Sequence, residues 1–524
     1  MKKLILSISC FVSFQAFAQQ SIQGYVFADS NKNGKKDRSE KGVPNVAVSN
    51  GSDVVVTDKN GKYELNLSDD NQLFVIKPSN YSIALDQYNL PKYYVTHKPK
   101  GSPANLKYEG VSPTEKLPKE LNFALIPSQE SEEFTSFIFG DPQTYTMEEV
   151  NYFRKAIVDE AKTKNKGKVF GISLGDLVGD DLSLHTPYKE VMKDMGLPWY
   201  NVIGNHDMNL DAKDDLYSDE TFERNFGPAN YAFNYGNTHF VVLDNILYPD
   251  PRDGKGYWGG FRQDQIDFLK NELQFVDKNK LVVISFHIPL FVGDESHFEP
   301  KSRQAFMDII KDFPNLLILS AHMHTQSNQF YGEKHGWKGS KPLHEYNVGT
   351  TSGDWYSGEL NEDGVPVSTM RDGTPRGYAF LKVKGNQYQL DYKVAGKPEE
   401  YKVEIYAPNV IADKGWNSSM IVANVFMGTE KDKVEYRIDN ASWKQMKKIE
   451  AHDPTYNAMV QKWDLSKELL TGRRPSNPEI SNHLWQTKAP NNLGIGNHTI
   501  EVKVTDMFGR TYISKRDYKI EPKK

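Results

Sequence analysis

Leu174-Gly175-Asp176-Leu177-Val178-Gly179-Asp180 and, further on, Ile203-Gly204-Asn205-His206-Asp207 decide the fold. Each follows a short apolar run (168–174 and 199–203) with the length and β-branched content of a buried strand. Three more runs end the same way: 134–139 at Gly140-Asp141-Pro142-Gln143, 281–286 at His287, and 316–320 at Ala321-His322-Met323-His324. Between them lie helical periods. In 148–163, Val150, Phe153, Ile157 and Ala161 form one stripe, and 262–275 repeats the pattern. Residues 232–244 read as a hairpin. Strand and helix in alternation predict an open α/β sheet arrangement. In such sheets ligands collect beyond the carboxyl ends of the strands, so all five clusters are expected at one edge. The glycines before Asp141, Asp176 and Asn205 are read as letting the strand turn sharply toward a bound ion.

The clusters offer carboxylate, amide and imidazole donors and no thiolate, a set suited to divalent cations. Two cations about 3.5–4 Å apart, held by a bridging carboxylate, would clamp a phosphoryl group and generate a nucleophile. A histidine beside a ligand would protonate the leaving oxygen.

The series D-x-H, G-D-x-x-D, G-N-H-D/E, H, G-H-x-H, in that order, resembles the calcineurin-like metallophosphoesterase superfamily. The resemblance covers 134–324. It implies that Asp176 bridges both ions, that Asp141, His324 and Gln143 complete one site, and that Asn205, His287 and His322 complete the other. By the same resemblance His206 is the general acid, steadied by Asp180. It further implies a four-layer α-β-β-α core. Two positions depart from the pattern: Gln143 stands where histidine is usual, and Ala321 replaces a glycine. The D-x-Q form is similar to a branch containing manganese-dependent pyrophosphatases. An amide oxygen in place of imidazole favours Mn²⁺ or Mg²⁺ over Zn²⁺ at the first site, with Mn²⁺ the leading choice and iron or Zn²⁺ the other candidates. The alternative role for Gln143 is to orient a water or a substrate oxygen.

Around this centre the patterning is β. The expected organisation is an export signal over 1–18, a β-sandwich over 19–127, the α/β domain over 128–395 and a second, all-β domain over 396–524. Lys2 and Lys3, an apolar stretch and Ala16-Phe17-Ala18 make the signal. They predict a periplasmic, cell-surface or extracellular protein. The only cysteine, Cys10, falls inside that signal, so no disulfide or thiol chemistry is expected in the processed chain. A lipidation role for Cys10 is the minority reading. The first β module carries Asp29-Ser30-Asn31-Lys32-Asn33-Gly34, then Asp37 and Glu40. This is the twelve-residue D-x-[DN]-x-[DN]-G-x₅-E spacing of a calcium loop, with the Lys35 carbonyl at its seventh position. The competing reading is an Asp/Asn/Gly turn. The β–phosphoesterase–β layout looks like a secreted Bacteroidetes-type architecture.

The net charge of −5 argues against a nucleic-acid-binding surface. No apolar run reaches the length of a membrane helix, about 20 residues. A phosphorylated small molecule, nucleotide or lipid head group is the expected substrate, as monoester, diester or anhydride. The rival reading is a non-catalytic exported binding protein on a degenerate scaffold, with Gln143 the feature in its favour. Trp258, Trp337 and Trp355 are read as packing a domain junction, and Arg371, Arg376 and Lys341 as solvated loop charges. The oligomeric state has no signal in the sequence.

Overall fold

The computed structural model describes residues 20–293 and 295–523, and the export signal read at 1–18 lies outside them. Eleven strands form the core: β1 (Glu133–Phe139), β2 (Lys168–Leu174), β3 (Trp199–Val202), β4 (Tyr231–Tyr235), β5 (Thr238–Val242), β6 (Leu281–Ser285), β7 (Leu316–Ser320), β8 (Ser327–Tyr331), β9 (Leu343–Asn347), β10 (Gly377–Lys384) and β11 (Gln387–Val394). One sheet has the order β3-β2-β1-β10-β11 and the other β4-β5-β6-β7-β9-β8.

Period-two alternation sorts the side chains between layers. Phe134 and Phe170 point toward the second sheet and meet Phe240 with ring centroids 6.4 and 5.2 Å away. Phe139 and Ser173 point outward. Phe139 meets Phe153 of the helix Met147–Phe153 at 6.3 Å, and the Ser173 hydroxyl lies 2.8 Å from that of Tyr188 in the helix His185–Met192. Across the second sheet, His239 points away from the first and pairs with Glu272 of the helix Gln263–Leu273 at 2.9 Å. The two sheets therefore pack face to face with helices outside each.

The stripe over 148–163 is buried as expected, but the helix is not continuous. Arg154–Val158 is a π turn between two α segments. The wider turn advances less per residue, which keeps both Ile157 and Val158 on the buried side.

The N-terminal module has two four-stranded sheets: Lys62–Leu67, Gln20–Ala28, Phe123–Pro127 and Tyr81–Ser82 in one, Val54–Val56, Ala47–Ser49, Asn71–Val75 and Tyr94–His97 in the other. Its apolar side chains belong to the same buried cluster as the core. Phe74 meets Phe268 at 5.7 Å, and Tyr93 meets Tyr231 at 5.3 Å.

The C-terminal module is a four-stranded sheet on a five-stranded one with a separate apolar cluster. The all-β expectation is corrected here, because the helix Pro454–Leu465 lies within it. Asp453 accepts from the Tyr456 amide at 2.8 Å and Pro454 opens the first turn, a strong start signal. Only Tyr456 and Val460 are buried, so the apolar stripe that would reveal it is nearly missing. The segment 473–482 is only partly loop: Gly472–Arg473 pairs with Gly358–Glu359, and the strand Ile480–Lys488 begins there. Among the described residues no helix is long and apolar enough to cross a membrane.

Candidate metal centre

The carboxyl ends of β1, β2, β3, β6 and β7 open on one edge, and there the sequence motifs meet. Asp176, His287 and His322 each bring a ligand atom within 4.8 Å of the others. His287 is the hub. Its Nε2 lies 3.2 Å from Asp176 Oδ2, from Asn205 Oδ1 and from His322 Nδ1. Its Nδ1–H donates to the Leu174 carbonyl at 2.7 Å. His324 Nδ1–H donates to the Gly353 carbonyl at 3.0 Å, which leaves its Nε2 3.8 Å from Asp141 Oδ1. In both rings the outer nitrogen is committed to backbone and the inner one is left to ligate. The Asp141 carboxylate accepts from the His322 amide at 3.2 Å. Gln143 Nε2 donates to the Tyr145 hydroxyl at 3.3 Å, while its Oε1 is buried with no partner. An orphaned amide oxygen beside two carboxylates and three imidazoles is what a cation would satisfy, so this donor set fits a divalent pair.

The backbone is bent to make this convergence. Asp141, Gln143, Asp176, His322 and His324 have φ between +33 and +73°. That is a costly region for side-chain-bearing residues, and such strain collects at functional sites. Gly175 is left-handed at φ +92°, and a Cβ on Gly204 would lie 2.0 Å from the Asp176 amide nitrogen. Gly140 does not behave as expected: it bridges to Thr350, and Asp141 itself makes the turn.

Two organising residues were given no role by the sequence analysis, although Asp207 lies inside one of its motifs. The Asp207 carboxylate accepts from the Leu177, Val178 and Gly204 amides at 2.9–3.2 Å and lies 3.1 Å from His185 Nε2. It ties the Asp176 loop to the Asn205 loop. Asn245 Oδ1 accepts from the amides of His287 and Ile288 at 3.2 and 3.0 Å. An Asp closing a ligand motif and an Asn after a strand carry too little pattern to be given this role.

His206 Nδ1 lies 2.7 Å from Asp180 Oδ1, and its amide donates to Asp176 Oδ1 at 3.0 Å. Burial would lower this imidazole, but Asp176 and Asp180 outweigh it and raise it to about 9. Burial would raise Asp176, yet His287 and His206 hold it below the usual carboxylate range. Burial, reinforced by Asp176, pushes Asp141 up to about 8. Burial also pushes His322 down to about 3 and His324 to about 4.

A cavity of about 500 Å³ opens over these groups, walled by Tyr257, Trp258, Trp355, Arg252 and Arg371. Trp355 stacks on His324 with centroids 4.0 Å apart. Trp258 and Trp355 therefore wall the site, and Trp355 also meets the C-terminal module, its carbonyl accepting from Arg473. Arg371 is no free solvated charge, since it pairs with Glu479 at 2.5 Å. Arg376 is buried at 8% exposure. Trp337 is buried far from this mouth, donating to the Lys341 carbonyl at 2.6 Å, and Lys341 is exposed.

In the N-terminal loop the acidic and amide side chains converge. Asp29 accepts from the amides of Asn33 and Gly34, Asp37 accepts from the amides of the Asn31 and Asn33 side chains, and Glu40 accepts from the Ser30 and Asp37 amides, all at 2.8–3.2 Å. Asn33 Oδ1 accepts from the Lys35 amide at 2.7 Å.

Three family models match in succession: the N terminal of Calcineurin-like phosphoesterase over 30–112, Calcineurin-like phosphoesterase over 137–326, and the C terminal of Calcineurin-like phosphoesterase over 345–512. A curated protein of Arcobacter nitrofigilis, named "Probable glycerophosphodiester phosphodiesterase GpdQ", is 23% identical over 163 residues, which is 30% of this chain. The chain spans 57% of that relative's length. Among solved structures, PhoD is 15% identical, covering 66% of this chain and 86% of that one, with a TM-score of 0.37. A purple acid phosphatase from yellow lupin (Lupinus luteus) is 13% identical, covering 72% and 67%, also with a TM-score of 0.37.

Proposed function

We propose, from the premise that this chain belongs to the calcineurin-like phosphoesterase superfamily and is a metal-dependent phosphoester hydrolase, that it cleaves a phosphodiester or phosphoanhydride bond of a small molecule outside the cytoplasm. The observation that carries this reading is the crowding of Asp176, Asn205 and His322 around one nitrogen of His287, next to the His206–Asp180 pair. Asp141, Gln143 and His324 would hold one ion, Asn205, His287 and His322 the other, with Asp176 between them. The ions, when bound, supply Lewis-acid charge for the phosphoryl oxygens and acidify a water. Asp180 fixes the His206 ring and stabilises its protonated form, which serves to hand a proton to the departing oxygen. The aromatic and arginine wall shields the site and positions the organic group.

Manganese is favoured because Asp141, Asp176 and Gln143 make the first site rich in oxygen. The diester preference draws on the name of the Arcobacter relative. Export rests on the charged, apolar and small-residue order of 1–18. The Asp29–Glu40 loop is read as a structural calcium site. The non-catalytic alternative rested on Gln143, and an amide oxygen buried without a partner argues for ligation rather than decay.

The test is turnover of bis-p-nitrophenyl phosphate and p-nitrophenyl phosphate with Mn²⁺, before and after chelation. Asp176→Asn and His206→Ala should each lower kcat at least ~100-fold. Near-normal rates in either variant would remove the assigned roles, and no turnover of any phosphoester by the manganese-loaded protein would remove the reading.

A further inference from the structure

Next to the centre, Tyr145 is held in place by contacts that the assigned roles do not need. Its amide donates to Glu149 Oε2 at 2.6 Å. Its ring lies edge-on to the His206 ring, with centroids 5.9 Å apart. The opposite support is Gly179. A Cβ there would stand 2.6 Å from three carbons of the Tyr145 ring, so the ring lies flat on the glycine backbone. Gly179 is not among the left-handed glycines, so only space reserves this position for glycine. The hydroxyl accepts from Gln143 Nε2 at 3.3 Å, and among the described residues it donates to no acceptor.

Gln143 joins these facts to the metal centre. An amide has two arms of opposite polarity. With the oxygen given to a cation, the nitrogen must donate, and here it donates to Tyr145. That bond occupies the acceptor side of the phenol and leaves its O–H as a donor. An imidazole at position 143 that ligates through one nitrogen would leave only the far side of its ring to address a neighbour.

We propose that Tyr145 is a catalytic residue: its O–H, oriented by Gln143 and by the floor of Gly179, donates a hydrogen bond to a non-bridging oxygen of the phosphoryl group under attack. Tyr145 keeps its proton throughout, and no bond to it forms or breaks. The donor is worth most where charge gathers on that oxygen in the transition state. This inference rests on the phosphoesterase reading and assigns the group that reads the phosphoryl oxygen from the side of the first site.

The experiment compares wild type, Tyr145→Phe, Gly179→Ala and the double variant, each loaded with manganese. Three quantities are read: metal content by elemental analysis, kcat and KM on bis-p-nitrophenyl phosphate, and the affinity for inorganic phosphate by calorimetry. Tyr145→Phe should keep its metal, lower kcat about 10- to 100-fold with little change in KM, and weaken phosphate binding about 3- to 10-fold. Gly179→Ala lifts the ring from its floor and should lose a similar factor, and the double variant should lose no more than either single one. Tyr145→Phe within twofold of wild type in both kcat and phosphate affinity overturns the proposal, as does full additivity in the double variant. If instead the manganese-loaded wild type turns over no phosphoester at all, the underlying reading fails and not the placement of Tyr145.

Discussion

Around His287 Nε2, three donors stand at a single distance, and something positive has to sit among them. In the protein without metal a proton does so. Burial opposes it, but Asp176 and Asp141 prevail and lift His287 to about 9. A cation must displace that proton. Below pH ~9, manganese uptake should therefore release a proton, and apparent affinity should rise toward about tenfold per pH unit before levelling off. Calorimetric titration of the metal-free protein in buffers of different ionisation enthalpy measures this. Uptake that ignores pH and releases no proton would contradict the arrangement. At this scale the sequence was most legible where a glycine and a ligand-type residue closed an apolar run, as at Asp176 and His206. It assigned no role to Asp207, Asn245 or Tyr145, whose work depends on loops that meet only after folding.

The segment 472–483 shows how one element from the C-terminal module reaches the centre. Arg473 donates to the Trp355 carbonyl and to that of Asp354. The Ser476 amide donates to Asp354 Oδ2 at 2.7 Å, and the Glu479 amide to the Arg371 carbonyl at 3.0 Å. Trp355, itself left-handed at φ +46°, presses on His324. Arg473→Ala should loosen that stack at little cost to the fold. Its guanidinium bonds to backbone carbonyls at the surface of the site, worth on the order of 1–3 kcal/mol. We expect dialysed Arg473→Ala to retain less manganese than wild type while its melting temperature moves by only a few degrees. Equal metal retention would show that the strap does not govern His324. The strands of this module were readable from alternation such as Ile500, Val502 and Val504, all buried. The strap and the preceding helix were not, because neither carries a periodic apolar face.

Over the whole molecule, the N-terminal module and the α/β core share one apolar interior. A buried ion pair joins them as well, Lys98 to Glu220 at 2.5 Å and to Glu223 at 3.3 Å. An ion bound at the Asp29 loop should therefore steady both. At a calcium concentration of 100 times Kd the gain is about 2.7 kcal/mol, read as a higher melting temperature that Asp29→Ala abolishes. An unchanged melt at saturating calcium would return the loop to an ordinary turn. That the N-terminal module, and not the C-terminal sandwich, shares the core's interior could not be foreseen, since β patterning marks both ends of the chain alike. The first sheet adds a constraint of chain order. β1 carries Asp141 at its tip, yet its neighbour on one side is β10, with Phe137 opposite Phe380. A gene shortened just after His324 would encode every recognised motif and still yield an inactive product with a raw, sticky sheet margin. Until Gly377–Lys384 takes its place, β1 keeps that margin unpaired.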